Sequence, residues 1–198
     1  MRACQMLPRS LFIPIFHIDT NLINARQKLA AVNQIEKWFE DEVILVNISS
    51  TALGEAKAGS DNNRVRKANQ NIFTCNSPVS DTEPLYQKVE MVLFPHGAQN
   101  ENQKNDVRIV CEAARYSATL ITADGASKSQ PGGILGSKDK LGDVVKIMSP
   151  TEAVDFISKK IIERDKYNTE FMRCFGGALP PWVGADNNSY ESQTTINS

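Results

Sequence analysis

The sequence predicts an α/β fold, a three-layer α/β/α sandwich around a mostly parallel central sheet. Three observations point there. Short apolar runs of strand length, IPIFHID, VILVNIS, TLITA and VVKIM, recur along the chain. Between them lie stretches whose apolar residues return every three or four positions, the period of a helix with one buried face. Strand and helix alternate, as they do where each parallel strand is joined to the next by a covering helix.

Each element can be justified in turn. Residues 13–19, IPIFHID, form the first strand, ended by Asp19. One long helix follows, with Leu22, Ala25, Leu29, Val32, Ile35 and Phe39 on its buried face and Arg26, Lys28, Glu36 and Lys37 on the others. VILVNIS, 43–49, is the second strand, and STALGEAKAG opens a helix that Gly59 breaks. The polar, basic SDNNRVRKANQN either ends that helix or forms a loop. DTEPLYQKVEMVLF, 81–94, is a helix capped by Asp81, with Leu85, Val89, Val92 and Leu93 inside. PHGAQNENQKN is a polar connection, and DVRIVCEAARYS is a helix whose Val110, Ala113, Ala114 and Ser117 share one face. TLITA is the third strand. Residues 125–143 form a long glycine- and lysine-rich loop, VVKIM is the fourth strand, and TEAVDFISKKIIERD closes the domain with Val154, Ile157, Ile161 and Ile162 buried.

With 198 residues and 41% hydrophobic content, the chain can build one sizeable core. We expect a domain over 12–166 and a polar tail over 167–198 whose end is disordered. Lysine and arginine total 22 against 23 acids, a net charge of -1, so no global basic field marks a non-specific nucleic-acid binder. The four cysteines show no metal-ligand spacing and read as free thiols of a reducing compartment. LFIPIF is short for a signal segment and no run reaches the ~20 apolar residues of a membrane span, so a cytoplasmic location without membrane contact is expected.

The chemistry lies in four acids. In a parallel sheet the strand ends and the starts of the following helices share one edge, where ligands bind. Asp19 and Asp124 end strands there. A helix from Asp106 descends about 16 Å and the next strand climbs about 17 Å, which returns Asp106 to the level of Asp124. Asp106 lies four residues before Val110, on the core-facing stripe of its helix. It also suits a helix cap, a role open to Asn105 as well. Glu55 falls in the first turns of its helix, with Ala52 where a capping box would need Ser or Thr. Singly, each acid fits a turn, a cap or a solvated helix face. Together they repel one another, and a cation removes that cost. Oxygen ligands without a nearby His or Cys set suit Mg²⁺ or Mn²⁺.

FHIDTNLI, then Glu55, then NDVRIVCEAARYSATLITADG, resembles the PIN-domain nucleases over most of residues 13–160. The resemblance implies a PIN-like fold and a metal-dependent endoribonuclease. It maps Asp19, Glu55, Asp106 and Asp124 onto the family's metal-site acids, with Asn21 and Thr122 as accompanying polar positions. Thr122 stands two residues before Asp124, so strand alternation puts both on one side. Asp19, Asp106 and Asp124 would hold the ion; Glu55 would bind a second ion or orient the attacking water. The resemblance also implies an antitoxin-like protein partner and a homodimer. The loop over 125–143 is long for the family and the tail lies outside it.

RNA would need cations near this acidic centre, and Lys104, Arg108, Lys128, Lys138 and Lys140 flank it. SKSQPGG has the composition of a phosphate cradle without the order of a P-loop. Arg64, Arg66 and Lys67 read as a solvated face, His17 as a satisfied core or edge histidine, and Trp182 as an anchor packing the tail back. Two other readings compete. A non-catalytic PIN-like module would bind RNA or protein. A magnesium-dependent phosphatase of the aspartyl-phosphate type would need an acid two residues after Asp19, where Asn21 stands.

Overall fold

The structure is a computed structural model that describes residues 5–23, 28–58, 73–75, 79–125 and 132–187. β1 (Phe16–Ile18) is the middle strand. β2 (Val46–Ser49) and β4 (Thr119–Ile121) flank it, with β3 (Phe73–Cys75) beyond β2 and β5 (Lys146–Met148) beyond β4. Every pairing is parallel; Phe16 is in register with Val46 on one side and Thr119 on the other. All five C-terminal ends therefore emerge at one edge. Phe16, Ile18, Ile48, Leu120 and Ile121 are buried, as strands covered on both faces must be. The chain leaves β1 for β2 on one side and later returns to β4 on the other, so β1 and β4 bound the crevice where the strand order switches.

The helices are α1 (Thr20–Ile23), α2 (Ala30–Glu40), α3 (Ser50–Ala58), α4 (Pro84–Leu93), α5 (Glu101–Arg115), α6 (Gly133–Gly136) and α7 (Pro150–Phe175). Helix α2 packs on α7, while α3 packs on α1 and α5, and α4 on α5. These groups form the outer layers of the α/β/α sandwich. No helix among the described residues is long and apolar enough to cross a membrane.

Several elements differ from the sequence reading. The long first helix is interrupted: Leu29 is extended, with φ -116° and ψ 116°, and α2 begins at Ala30. Trp38, rather than Phe39, is the fully buried aromatic of α2, completing a stripe with Val32 and Ile35. Ala25 and Arg26 lie outside the described residues, as does SDNNRVRKANQN. The edge strand β3 is a fifth strand that the pattern does not reveal, because three residues carry too little alternation. Helix α4 starts later than expected, with Glu83 as its cap and Pro84 in the first turn, where its missing N–H costs nothing. Asp81 instead pairs with Arg108.

Helix α5 starts earlier than expected. Asn100 caps it by accepting from the Gln103 amide, so ENQKN is helical and Asp106 sits in the second turn, not at the start. Ser149 and Glu152 form a capping box for α7, which runs past residue 166 to Phe175; Ile162 on it is exposed. The segment after α7 folds back, burying Asp186 against Arg9 and Arg164, and Trp38 Nε1 donates to the Asp186 carbonyl at 2.8 Å. Trp182 does pack back, with the Arg164 guanidinium 4.6 Å from its ring. Residues 188–198 lie outside the described residues.

Candidate active site

Asp19 follows β1 directly and is almost fully buried. Its Oδ2 accepts from Thr122 Oγ1 at 2.6 Å and from Asn21 Nδ2 at 2.8 Å. The Thr122 hydroxyl in turn accepts from the Asp124 amide at 3.0 Å, which ties the ends of β1 and β4 together. Asn21 closes the unit, its Oδ1 accepting from the Ala123 amide. The two accompanying polar positions thus orient Asp19 and begin the turn that carries Asp124.

Glu55 comes from α3 and is held by neutral donors. Thr20 Oγ1 donates to Oε2 at 2.7 Å and Asn105 Nδ2 donates to Oε1 at 3.0 Å. Asp106, next to Asn105 on α5, accepts no hydrogen bond among the described residues. Burial and the charges of Asp19, Asp124 and Glu55 push its carboxyl up to about 7. Burial likewise raises Asp19, to about 6; the Thr122 hydrogen bond opposes this, and the charges of Glu55 and Asp124 add to it. Asp106 thus feels the charges of the other three acids, and Asp19 those of Glu55 and Asp124, at the edge that β1 and β4 bound. Among the described residues no three His, Cys, Asp or Glu side chains gather tightly enough to hold an ion between them.

The donor chemistry fits a hard divalent cation. Asp19, Glu55, Asp106 and Asp124 offer carboxylate oxygens, and Asn21, Asn105 and Thr122 offer amide or hydroxyl groups beside them, the hard oxygen donors that such an ion takes.

Residues outside the sequence expectations complete the scaffold. Thr20 and Asn105 fix Glu55. Glu112, fully buried on α5, reaches the start of α3 and accepts from Ser50 Oγ at 2.7 Å, Thr51 Oγ1 at 2.9 Å and the Thr51 amide. One signal could have found it: Glu112 stands two helical turns after Asn105, on the same face, between the buried Cys111 and Ala113. His17 is buried, but neither ring nitrogen has a hydrogen-bond partner among the described residues, so within them it is not a satisfied histidine. Its ring lies 5.4 Å from that of Tyr116, and burial lowers it to about 4.

Of the proposed phosphate contacts, Arg108 is engaged by Asp81 and Glu101 and also donates to Asn105, while Lys138 pairs with Glu152. Such exposed pairs are worth about 1 kcal/mol or less and exchange readily. Lys140 is exposed and Lys104 half-buried. Lys128 lies outside the described residues, as does most of SKSQPGG.

No protein-family model matches the chain, and no curated protein does. Solved structures similar in fold include that of VapBC2 from Rickettsia felis bound to a DNA fragment from its promoter. It is 16% identical over 68% of this chain and 98% of that one, with a TM-score of 0.44. Another is FitAB bound to an IR36 DNA fragment, 18% identical over 68% of this chain and 94% of that one, with a TM-score of 0.42.

Proposed function

We propose that the protein is a PIN-like, metal-dependent endoribonuclease that hydrolyses RNA phosphodiester bonds at Asp19, Glu55, Asp106 and Asp124. The observation that carries this reading is that acids from four separate segments sit at the edge bounded by β1 and β4, with Asp19 held by Thr122 and Asn21, Thr122 tied to the Asp124 amide, and Glu55 held by Thr20 and by Asn105 beside Asp106. A fold keeps repelling acids together where the site has a use for them.

In this reading Asp19, Asp106 and Asp124 hold Mg²⁺ or Mn²⁺. When bound, the ion supplies a Lewis acid for the phosphate and lowers the pKa of a bound water. Thr122 and Asn21 keep Asp19 in a single orientation by occupying its Oδ2. Glu55, fixed by Thr20 and Asn105, either holds a second ion or orients the water for in-line attack. Lys104 and Lys140 meet backbone phosphates, and Arg108 and Lys138 do so by exchanging an acidic partner for a phosphate. An antitoxin-like protein partner and a homodimer belong to the same reading through the family resemblance.

Purified protein incubated with single-stranded and structured RNA tests it. Cutting is expected with Mn²⁺ or Mg²⁺, none with EDTA, and a loss of at least about 100-fold in Asp19→Asn and Asp106→Asn. Cutting that both variants retain would reject the site. RNA left intact while a small phosphoester is hydrolysed would favour the phosphatase, and RNA binding without cutting the non-catalytic module.

A further inference from the structure

The turn after Asp124 has a structural task that its glycine-rich composition does not announce. The Ile134 amide donates to Asp124 Oδ2 at 2.8 Å, and the Leu135 amide donates to the Asp124 carbonyl at 3.0 Å. Gly132 and Gly133 both have positive φ, 88° and 54°, which aims these amides back at the acid. Gly133 is itself buried. A Cβ placed on it would lie 2.5 Å from Asp124 Oδ2, 2.6 Å from its carbonyl oxygen and 2.7 Å from Cγ. A real Cβ cannot occupy that space, so any side chain here must displace the carboxylate, the backbone or both. No other described glycine meets the acidic cluster in this way.

We infer that Gly133 is a positioning residue, and that the turn it forms seats the Asp124 carboxylate by Oδ2 so that Oδ1 is presented to the cation. The inference rests on the metal-site reading above. It gives Gly132 and Gly133 a purpose different from a phosphate cradle, since the Ile134 and Leu135 amides that follow them are spent on the chain's own Asp124. It also explains why a glycine is required for more than its torsions. The αL region costs an alanine about 1 kcal/mol, whereas the overlap with Asp124 moves a ligand. Displacing a group that orients a metal ligand typically weakens the ion's affinity about 10- to 100-fold.

Four proteins test it: wild type, Gly133→Ala, Asp124→Asn and Gly142→Ala. Gly142 lies in the same connection, and a Cβ there meets only ordinary contacts, the nearest at 3.5 Å. Each protein is melted over a Mn²⁺ titration, and its RNA cutting is measured separately. Gly142→Ala is expected to match wild type. Gly133→Ala is expected to need at least about tenfold more Mn²⁺ for the same rise in melting temperature, and to cut correspondingly less. Asp124→Asn keeps an oxygen acceptor for the Ile134 amide, so it is expected to keep its melting temperature without the ion and to lose the Mn²⁺ response.

Wild-type Mn²⁺ affinity in a folded Gly133→Ala would overturn the inference. So would an unaltered Mn²⁺ response in Asp124→Asn, which leaves Asp124 as a loop anchor only; that arm decides the matter if Gly133→Ala does not fold. A wild type that neither responds to Mn²⁺ nor cuts RNA would fail at the underlying reading instead, and would take the inference with it.

Discussion

At the scale of single residues, the acidic edge exchanges stability for charge. Asp106 ionises in the folded chain near pH 7, against about 3.8 when unfolded. Its contribution to stability is present in full below about pH 4 and is lost as the pH rises through 7. Asp106→Asn is therefore expected to melt several degrees above wild type at pH 8 without added metal, with the gap closing towards pH 4. Scanning calorimetry at both pH values measures it. A variant that is inactive yet more stable is the signature of a site where repulsion serves function. His17 gives the opposite sign. Its folded value of about 4 lies below the ordinary 6.5, so stability is complete above pH 6.5 and falls as the pH drops from there towards 4. Replacing His17 with Leu is expected to flatten that acid limb in thermal melts, because no buried ring then has to take up a proton.

Among the elements, α5 is the member on which the site depends most. It carries Asp106, holds Glu55 through Asn105, and clasps the start of α3 through Glu112. Glu112→Ala removes the acceptor from two hydroxyls and an amide, and is expected to cost about 2–3 kcal/mol. Faster hydrogen exchange at the first amides of α3, together with slower RNA cutting, would show that the loss reaches Glu55. The sequence disclosed this helix only in part. Its apolar stripe was plain from Val110 and Ala113, and that stripe was enough to turn Asp106 towards the site. Its start was not, because Glu101, Asn102, Gln103 and Lys104 are polar and add nothing to a hydrophobic period, although Asn100 caps them into the helix. Strand β3 escaped for a related reason, since a three-residue edge strand has no pattern to read. Glu55 and Asp124 could be singled out as candidates. Their holders could not, since hydrogen bonds between residues 50 apart leave no local trace.

Across the whole molecule, the two sheet edges divide the work. The C-terminal edge carries the four acids. The N-terminal edge carries a clamp in which Asp186, nearly fully buried, binds Arg9 and Arg164 and anchors Trp38 through its carbonyl. Composition did not disclose this clamp, because one buried aspartate with two distant arginines resembles surface polarity until the chain is folded, and the end of the tail that was expected to be disordered lies outside the described residues. Asp186→Ala leaves the buried Arg164 with Asp165 as its remaining acidic partner and takes from Arg9 the acid it shares with it, and is expected to cost about 2–3 kcal/mol in urea unfolding. RNA cutting at 25 °C should be unchanged, since the clamp touches nothing at the acidic edge. Strand alternation was sufficient to foresee the sandwich, and the spacing from Asp106 to Asp124 is what assigns the candidate acids to one edge of it. The central claim is that these acids form one cation site. Titration calorimetry of Mn²⁺ into wild type and into the Asp19→Asn/Asp106→Asn double variant addresses it most directly. Saturable binding by wild type that the double variant lacks is the expected result, and equal binding by the two, or none by wild type, would contradict it.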